Sequence, residues 1–327
     1  MAKRRHLDIS TSLLAARAAS LSYEHGRSNL EIAAELNVSR FRVARLLEVA
    51  RETGIVRFSV TLPDAMQPAQ SERLRRRYWL DSCVVVDGGD RKDAARDAMG
   101  RAAARLLQDT VGEDDVLGVA WGRTLSAMVR HIRELPPCPI VQLTGIAGDP
   151  AENSLELVRL ISQRSGGGAY PLYAPMVLPD TATLAGLRRQ SGIAQALSRM
   201  DDVTVAVVAI GSWNPPDSQL LQSLPPRAGA ALHGAGVSAE ICGMLVAEDG
   251  SEVPSPEGHL LAIRPDQLRQ IPKVLAVAGG SSKITAIRSV LRSGVVTSLV
   301  TDKTVSDVLL EDDSSGEQAP STTEPLI

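Results

Sequence analysis

Apolar residues between positions 28 and 57 recur with a helical period that one turn signal interrupts. Asn37 stands at the interruption, and asparagine tolerates the left-handed backbone that a sharp turn requires. A short helix before it would bury one apolar face, formed by Leu30, Ala33, Ala34 and Leu36. A second helix after it would bury positions spaced i, i+3, i+4 and i+7, which are Val43, Leu46, Leu47 and Ala50. The pattern predicts a helix-turn-helix.

The ends of the second helix carry matching signals. Ser39 is a suitable N-cap, and Gly54 is a typical helix-stop residue. Its first two turns leave Arg40, Arg42 and Arg45 exposed, where arginine can pair with guanine edges or phosphates. A solvated basic face is the alternative, but the coincidence of helix, turn, cap and stop favours DNA binding. We therefore predict a DNA-contacting set made of Ser39, Arg40, Arg42 and Arg45.

The rest of the N-terminal quarter completes a small domain. A first helix is expected at residues 11–24, and alternating apolar and polar positions predict a strand or wing at 55–62. We place the DNA-binding domain at residues 1–62 and a linker helix at 63–80. The arginines of that helix form either a second phosphate-contacting patch or, in our preferred interpretation, a solvated face: Arg73, Arg75, Arg76 and Arg77.

From residue 82 onward, short β-branched runs alternate with helical patterns. The runs predict strands at 83–86, 116–120, 140–143, 203–210, 274–277 and 296–300. Helices are expected between them at 94–107, 125–132, 155–161, 183–197 and 284–291. This alternation predicts a Rossmann-like, mainly parallel α/β domain over residues 81–310, with helices on both faces of the sheet. Residues 311–327 are acidic and lack basic residues, so we expect a disordered tail.

Charge divides the chain in the same way. Residues 1–78 hold 14 lysines and arginines against 8 acids, and the remainder holds 21 against 30. A basic domain joined to an acidic one fits a DNA reader whose body stays away from phosphate. The three cysteines and five histidines show no metal-ligand spacing, and no apolar run could span a bilayer. We expect a cytoplasmic protein that has no metal or cofactor and does not bind membranes.

Two strand-to-helix turns are candidates for anion binding. At the first, a strand ends at Gly118-Val119-Ala120 and Trp121-Gly122-Arg123-Thr124 follow. At the second, Gly279 and Gly280 precede two serines and Lys283. Glycines allow close approach of a ligand to the backbone, and helix N-terminal amides form a phosphate cradle. An ordinary tight turn is the alternative at each. Glu240 could accept hydrogen bonds from sugar hydroxyls, and Asp302 follows a predicted strand where a cleft residue would lie. A helix cap or a surface acid is the alternative for each.

Together these segments resemble the SorC family of sugar-responsive bacterial transcription regulators. The resemblance runs collinearly over roughly residues 11–310. Its motifs are Ser39–Val56 within the second helix and its end, Gly118–Thr124, Val141–Gly145, Ile210–Ser218, Glu240–Gly243, Val277–Ile287 and Leu299–Asp302. It implies an effector domain similar to sugar-phosphate isomerases and deaminases, assembled as a homotetramer or dimer of dimers on operator DNA.

The resemblance also implies roles for residues of the two turns. Residues 118–124 and Lys283 would hold a phosphate, and Glu240 and Asp302 would line the sugar. The full expected effector set is Gly118, Trp121, Gly122, Arg123, Thr124, Gly145, Glu240, Gly279, Gly280, Lys283 and Asp302. We expect a regulator without enzymatic activity. The alternatives are an active sugar-phosphate isomerase or deaminase with a DNA-binding appendage, and an architectural DNA protein whose body binds no ligand.

Overall fold

The chain divides into two units, Met1–Leu62 and Pro63–Ile327. The computed structural model describes residues 8–57, 65–89, 91–147, 154–255 and 259–311. Within residues 8–57 the smaller unit consists of helices α1 (Ile9–Tyr23), α2 (Asn29–Glu35) and α3 (Arg40–Glu52). Helix α1 begins two residues before its predicted start at Thr11, because the Asp8 carboxylate accepts a hydrogen bond from the Thr11 amide at 2.8 Å.

Local signals define the turn between α2 and α3. Ser28 and Glu31 form a capping box at the start of α2, and Asn37 is left-handed with φ of 51°. The Ser39 hydroxyl accepts a hydrogen bond from the Arg42 amide at 3.2 Å and caps α3. The two helices and the turn that the sequence predicts between them are therefore present. The buried core of this unit is small and aliphatic, formed by Ala15, Ala18, Ala19, Ile32, Ala33, Val43, Leu46, Leu47 and Ala50.

Two predictions in this quarter of the chain have other outcomes. Residues 55–57 are not part of a strand, and residues 58–62 of the predicted wing lie outside the described residues. Within the segment expected to be a linker helix, α4 (Pro68–Arg77) packs against strand β1 (Ser82–Val86) of the larger unit. Leu74 is completely buried there, so α4 belongs to the larger unit.

Within the described residues, a seven-stranded parallel sheet forms the centre of the larger unit. Its strands are β1, β2 (Leu117–Val119), β3 (Ile140–Gln142), β4 (Ala169–Tyr170), β5 (Val205–Val208), β10 (Lys273–Val277) and β11 (Ser298–Asp302). The helices of this unit are α5 (Lys92–Thr110), α6 (Arg123–His131), α7 (Ser154–Ser165), α8 (Thr181–Arg188), α9 (Ser191–Arg199), α10 (Gln219–Ser223), α11 (Pro226–Gly234), α12 (Pro265–Gln270), α13 (Ile284–Arg292) and α14 (Lys303–Glu311). None of the described helices is long and apolar enough to cross a membrane.

The order of the strands places a topological switch at the middle of the sheet. The order is β1-β11-β10-β5-β2-β3-β4, with every neighbouring pair parallel. From β2 the chain proceeds through β3 and β4 to one edge, whereas from β5 it proceeds through β10 and β11 towards the other. Adjacent strands β2 and β5 therefore send their following segments in opposite directions. In open α/β sheets, ligands bind beyond the carboxyl ends of strands at such a point.

Two features differ from the sequence prediction. A second, antiparallel sheet has the order β6-β7-β8-β9, with strands β6 (Gly211–Ser212), β7 (Val237–Ile241), β8 (Met244–Ala247) and β9 (Glu252–Val253). The helix expected at 183–197 is two helices, α8 and α9. Helix α8 tightens at its end, where the Gln190 amide donates to the Leu187 carbonyl at 2.9 Å, and Gln190 is extended. The predicted acidic tail lies outside the described residues after position 311.

Candidate functional site

A cavity of about 400 Å³ lies at the carboxyl ends of the central strands of the larger unit. Its walls come from the turns that follow β1, β2, β10 and β11 and from the antiparallel sheet. The cavity brings together most of the effector residues predicted from the sequence, which are Trp121, Gly122, Arg123, Thr124, Glu240, Gly279, Gly280, Lys283 and Asp302. These residues come from four separate segments, which the topological switch between β2 and β5 brings close together.

Two predicted residues, Gly118 and Gly145, do not line this cavity. A Cβ at Gly118 would lie 2.8 Å from the Leu143 side chain and 2.9 Å from that of Val203. A Cβ at Gly145 would lie 2.8 Å from backbone atoms of Ala174 and Met176. Both are glycines because neighbouring segments pack closely against them, so we correct their expected ligand-binding role to a packing role.

The turn between β2 and α6 forms one side of the cavity. Gly122 precedes α6, and a Cβ there would lie 2.7 Å from the Cβ of Ala209. The turn can therefore approach the end of β5 only with glycine at this position. Helix α6 begins at Arg123, and the amides of its first turn have no partner within the helix. Such amides and the Thr124 hydroxyl are donors suited to an anion.

The turn between β10 and α13 forms the opposite side. Gly280 has φ of 96°, a left-handed conformation that favours glycine, and it leads into a 3-10 turn at Ser281–Lys283. The Gly280 amide donates to one carboxylate oxygen of Asp302, and the Val305 amide donates to the other at 2.9 Å. Asp302 is only 6% exposed. It therefore joins the β10 turn to the start of α14 and shapes the cavity wall.

Lys283 extends into a cluster of charges rather than into solvent. Its side chain is 18% exposed, its ammonium donates to the Ile210 carbonyl at 2.6 Å, and it lies 3.7 Å from an Asp217 carboxylate oxygen. The Arg123 guanidinium pairs with the same carboxylate. Burial lowers the pKa of Lys283, an effect that Asp217 opposes. Asp217 therefore lies between Arg123 and Lys283, at the place where the sequence predicts an anionic ligand.

Glu240 lies on β7 and is 7% exposed. Its carboxylate accepts hydrogen bonds from the Ser218 hydroxyl and the Gly243 amide, each at 3.3 Å. Burial raises the pKa of this carboxyl. A partly desolvated carboxyl beside a hydroxyl can accept from, or donate to, the hydroxyl groups of a sugar.

Several polar residues that line the cavity were not in the predicted effector set, and Asp217 and Thr144 are the most informative of them. Thr144 is 1% exposed, and its hydroxyl has no hydrogen-bond partner among the described residues. A buried hydroxyl without a partner is costly, so a ligand that bonds to it would gain affinity. Thr144 directly precedes Gly145, a predicted effector residue, and this neighbouring position was the signal that could have identified it. Asp217 lies in a proline-containing loop after β6, where periodicity gives no indication of the cavity and the family motif at Ile210–Ser218 was the available signal.

The predicted DNA-contacting residues lie together at the start of α3. Arg40, Arg42 and Arg45 are exposed, and the Ser39 hydroxyl is used in capping the helix. In the described part of the chain, no cluster of three or more His, Cys, Asp or Glu side chains could hold a metal ion.

Comparison with known proteins gives a consistent result. Residues 67–311 match the family model described as "Putative sugar-binding domain". The uncharacterized transcriptional regulator YjhU of Escherichia coli (strain K12) is 27% identical over 301 residues, which cover 89% of this chain and 92% of that protein. The sorbitol operon regulator of Klebsiella pneumoniae is 25% identical over 308 residues, which cover 91% of this chain and 96% of that protein.

A solved structure extends the comparison to the fold. The crystal structure of the full-length sorbitol operon regulator SorC from Klebsiella pneumoniae superposes with a TM-score of 0.69 at 22% identity, covering 92% of this chain and 99% of that one. At this identity the likeness establishes a shared fold. The family model, by contrast, covers more than half of the chain. The chain therefore belongs to the SorC family of transcription regulators, and its sugar-binding domain occupies residues 67–311.

Proposed function

We propose that this protein binds operator DNA through α3 and that a small phosphorylated sugar in the cavity controls that binding. The observation that carries the proposal is the convergence of Arg123 and Lys283 on one carboxylate inside a cavity at the switch of the sheet. Two cations held this close can bind a phosphate by charge-assisted hydrogen bonds. The relatives named as transcriptional regulators support the regulatory role.

The phosphate would replace Asp217 as the partner of Arg123 and Lys283. The first-turn amides of α6 and the Thr124 hydroxyl would complete its coordination. The sugar hydroxyls would then bond to Glu240 and to the unpartnered hydroxyl of Thr144. Asp302 would act by holding the β10 turn against α14, since both of its carboxylate oxygens already accept backbone hydrogen bonds.

Regulation requires that the sugar bind two states of the protein with different affinities. We propose that the protein is a cytoplasmic homo-oligomer, a tetramer or a dimer of dimers, and that the sugar shifts the balance between states that differ in operator affinity. Symmetric oligomers read symmetric half-sites, and a single recognition helix covers only a small footprint. We further propose that the cavity binds the sugar without converting it.

A thermal-shift screen of phosphorylated and unphosphorylated sugars on the full chain tests this function, because a ligand that binds only the folded state raises its stability. A phosphorylated sugar that stabilises the protein should also change operator affinity when it is titrated. If none of the sugar phosphates stabilises the protein, the proposal is contradicted. Turnover of the stabilising sugar in an isomerase or deaminase assay would instead identify an enzyme with a DNA-binding domain.

A further inference from the structure

The first turn of α3 exposes an aromatic ring. Phe41 is 73% exposed, although phenylalanine is among the side chains that folding buries most often. The buried positions of α3 form one stripe made of Val43, Leu46, Leu47 and Ala50. At 100° per residue, Phe41 lies on the side of the helix opposite this stripe, and Arg45 follows one turn later on the same side. The ring therefore occupies the centre of the outward face.

The surroundings of the ring are strongly basic. The Arg40 guanidinium lies 5.0 Å from the centre of the Phe41 ring, within the range of a cation–π contact. Arg42 and Arg45 are exposed on the same two turns. An apolar ring framed by three arginines is poorly suited to an apolar protein surface, because the guanidinium groups would lose their hydration. The same surface is well suited to the major groove of DNA. The arginines can pair with the flanking phosphates, and the ring can contact the methyl group that each thymine exposes there.

We propose that Phe41 determines base specificity by packing its ring against the 5-methyl group of a thymine in the operator. The arginines contact phosphates or neighbouring base edges, and the Phe41–thymine contact adds a reading that hydrogen-bond donors cannot provide. The inference rests on the proposed DNA binding through α3 and goes beyond it, because it names the base and the atom that are recognised.

Deoxyuridine substitution tests the contact, since uracil lacks only the 5-methyl group of thymine. An operator is first selected from random-sequence DNA with the full-length protein. Each thymine is then replaced singly by deoxyuridine, and affinity is measured at fixed salt for the wild type and for Phe41→Ala. We expect the wild type to lose about fourfold in affinity at one thymine of each half-site, the value for exposing one methyl group. Phe41→Ala should bind the thymine operator more weakly and show no loss at that position.

The control is Leu13→Ala, which removes a comparably exposed apolar side chain, 66% exposed, from α1. It should keep the deoxyuridine penalty of the wild type. Circular dichroism verifies that each variant is folded, and Phe41→Leu, which keeps an apolar contact, should retain part of the penalty. If no thymine of a selected operator shows the penalty, or if Phe41→Ala shows it undiminished, the inference is overturned while DNA binding stands. Failure to enrich any sequence would overturn the proposed function as well.

Discussion

The positive charges of the smaller unit and those of the cavity differ in how they are balanced. Among the described residues, Arg40, Arg42 and Arg45 have no ion-pair partner and are exposed. Arg123 and Lys283 instead share the carboxylate of Asp217, and Lys283 is largely buried. Unpaired surface charge suits a polyanion, because its many phosphates can pair with the arginines without displacing an internal carboxylate. Balanced, partly buried charge suits a small anion that must compete with an internal carboxylate, and this competition favours doubly charged ligands over neutral ones.

The largest effect is expected for a substitution of Lys283, which should weaken ligand binding in the cavity and leave DNA binding by the smaller unit unchanged. Lys283→Gln removes the charge but keeps a donor for the Ile210 carbonyl, which an alanine would leave without its hydrogen bond. We expect the affinity for a phosphorylated sugar to fall by about 1.5–3 kcal/mol and operator affinity without sugar to stay unchanged. Calorimetric titration of the sugar measures this. Lys273→Gln, which changes a lysine outside the cavity lining, serves as the control, and equal sugar affinity in both variants would move the phosphate away from Lys283.

The converse experiment is Arg45→Ala on the outward face of α3. Loss of a base contact should cost about 1–3 kcal/mol on the operator and relax the base preference there, because the guanidinium is replaced by a side chain that cannot donate. The thermal shift produced by the sugar should remain that of the wild type. Binding to operator and scrambled DNA at one salt concentration distinguishes base reading from charge alone. The matched control is Arg51→Ala, which also removes an arginine from α3 but does so in the last turn of the helix.

A smaller effect is expected at the buried hydroxyl of the cavity. Thr144→Val keeps the shape of the side chain and removes a hydroxyl that has no partner in the described part of the chain. Sugar affinity should fall by about 0.5–1.5 kcal/mol through the lost hydrogen bond, whereas the free energy of unfolding without sugar should not decrease. Thr301→Val is a close control, since Thr301 is equally buried, has an unpartnered hydroxyl within the described residues and lies outside the cavity lining. The same loss of sugar affinity in both variants would refute a direct contact.

The smallest effect tests the internal carboxylate. Asp217→Asn should tighten the binding of inorganic phosphate, because Arg123 and Lys283 would no longer be paired with a competing charge. The Arg123 side chain is 45% exposed and that of Asp217 27%, so solvent screening limits the gain to about 0.2–1 kcal/mol, or at most about fivefold. Asp266→Asn, which breaks an exposed pair with Arg264, should leave phosphate binding unchanged. Weaker phosphate binding in Asp217→Asn would mean that Asp217 orients the cations instead of competing for them.

The elements that the sequence predicted well are those whose causes are local. Ser39 caps α3 through an atom three residues away, and Asn37 adopts the left-handed turn that its side chain tolerates. The buried stripe of α3 followed from spacing alone. The glycine turns before α6 and α13 were recognisable for the same reason, since a strand, a glycine and a helix start are neighbours in the chain.

Other features depend on segments that are distant in the sequence. Gly118 and Gly145 look like ligand-binding glycines, yet the segments that require their small size come from Val203 and Ala174–Met176. Helix α8 ends and α9 begins through a tightened turn that the apolar pattern does not record. The antiparallel sheet that places Glu240 in the cavity consists of short strands, and their pairing exists only in the assembled fold.

By itself, the sequence determined the helix-turn-helix, its arginine-bearing face, the alternation of strands and helices, and the two turns that supply Arg123 and Lys283. Capping, periodicity and glycine conformation act within a few residues, so they can be read along the chain. Only the tertiary structure decided that Asp217 lies between those two cations and that the Thr144 hydroxyl is buried without a partner in the described residues. Both depend on the order of strands around β2 and β5, which brings together segments separated by many residues, and on burial, which strengthens charges and hydrogen bonds that water would otherwise screen.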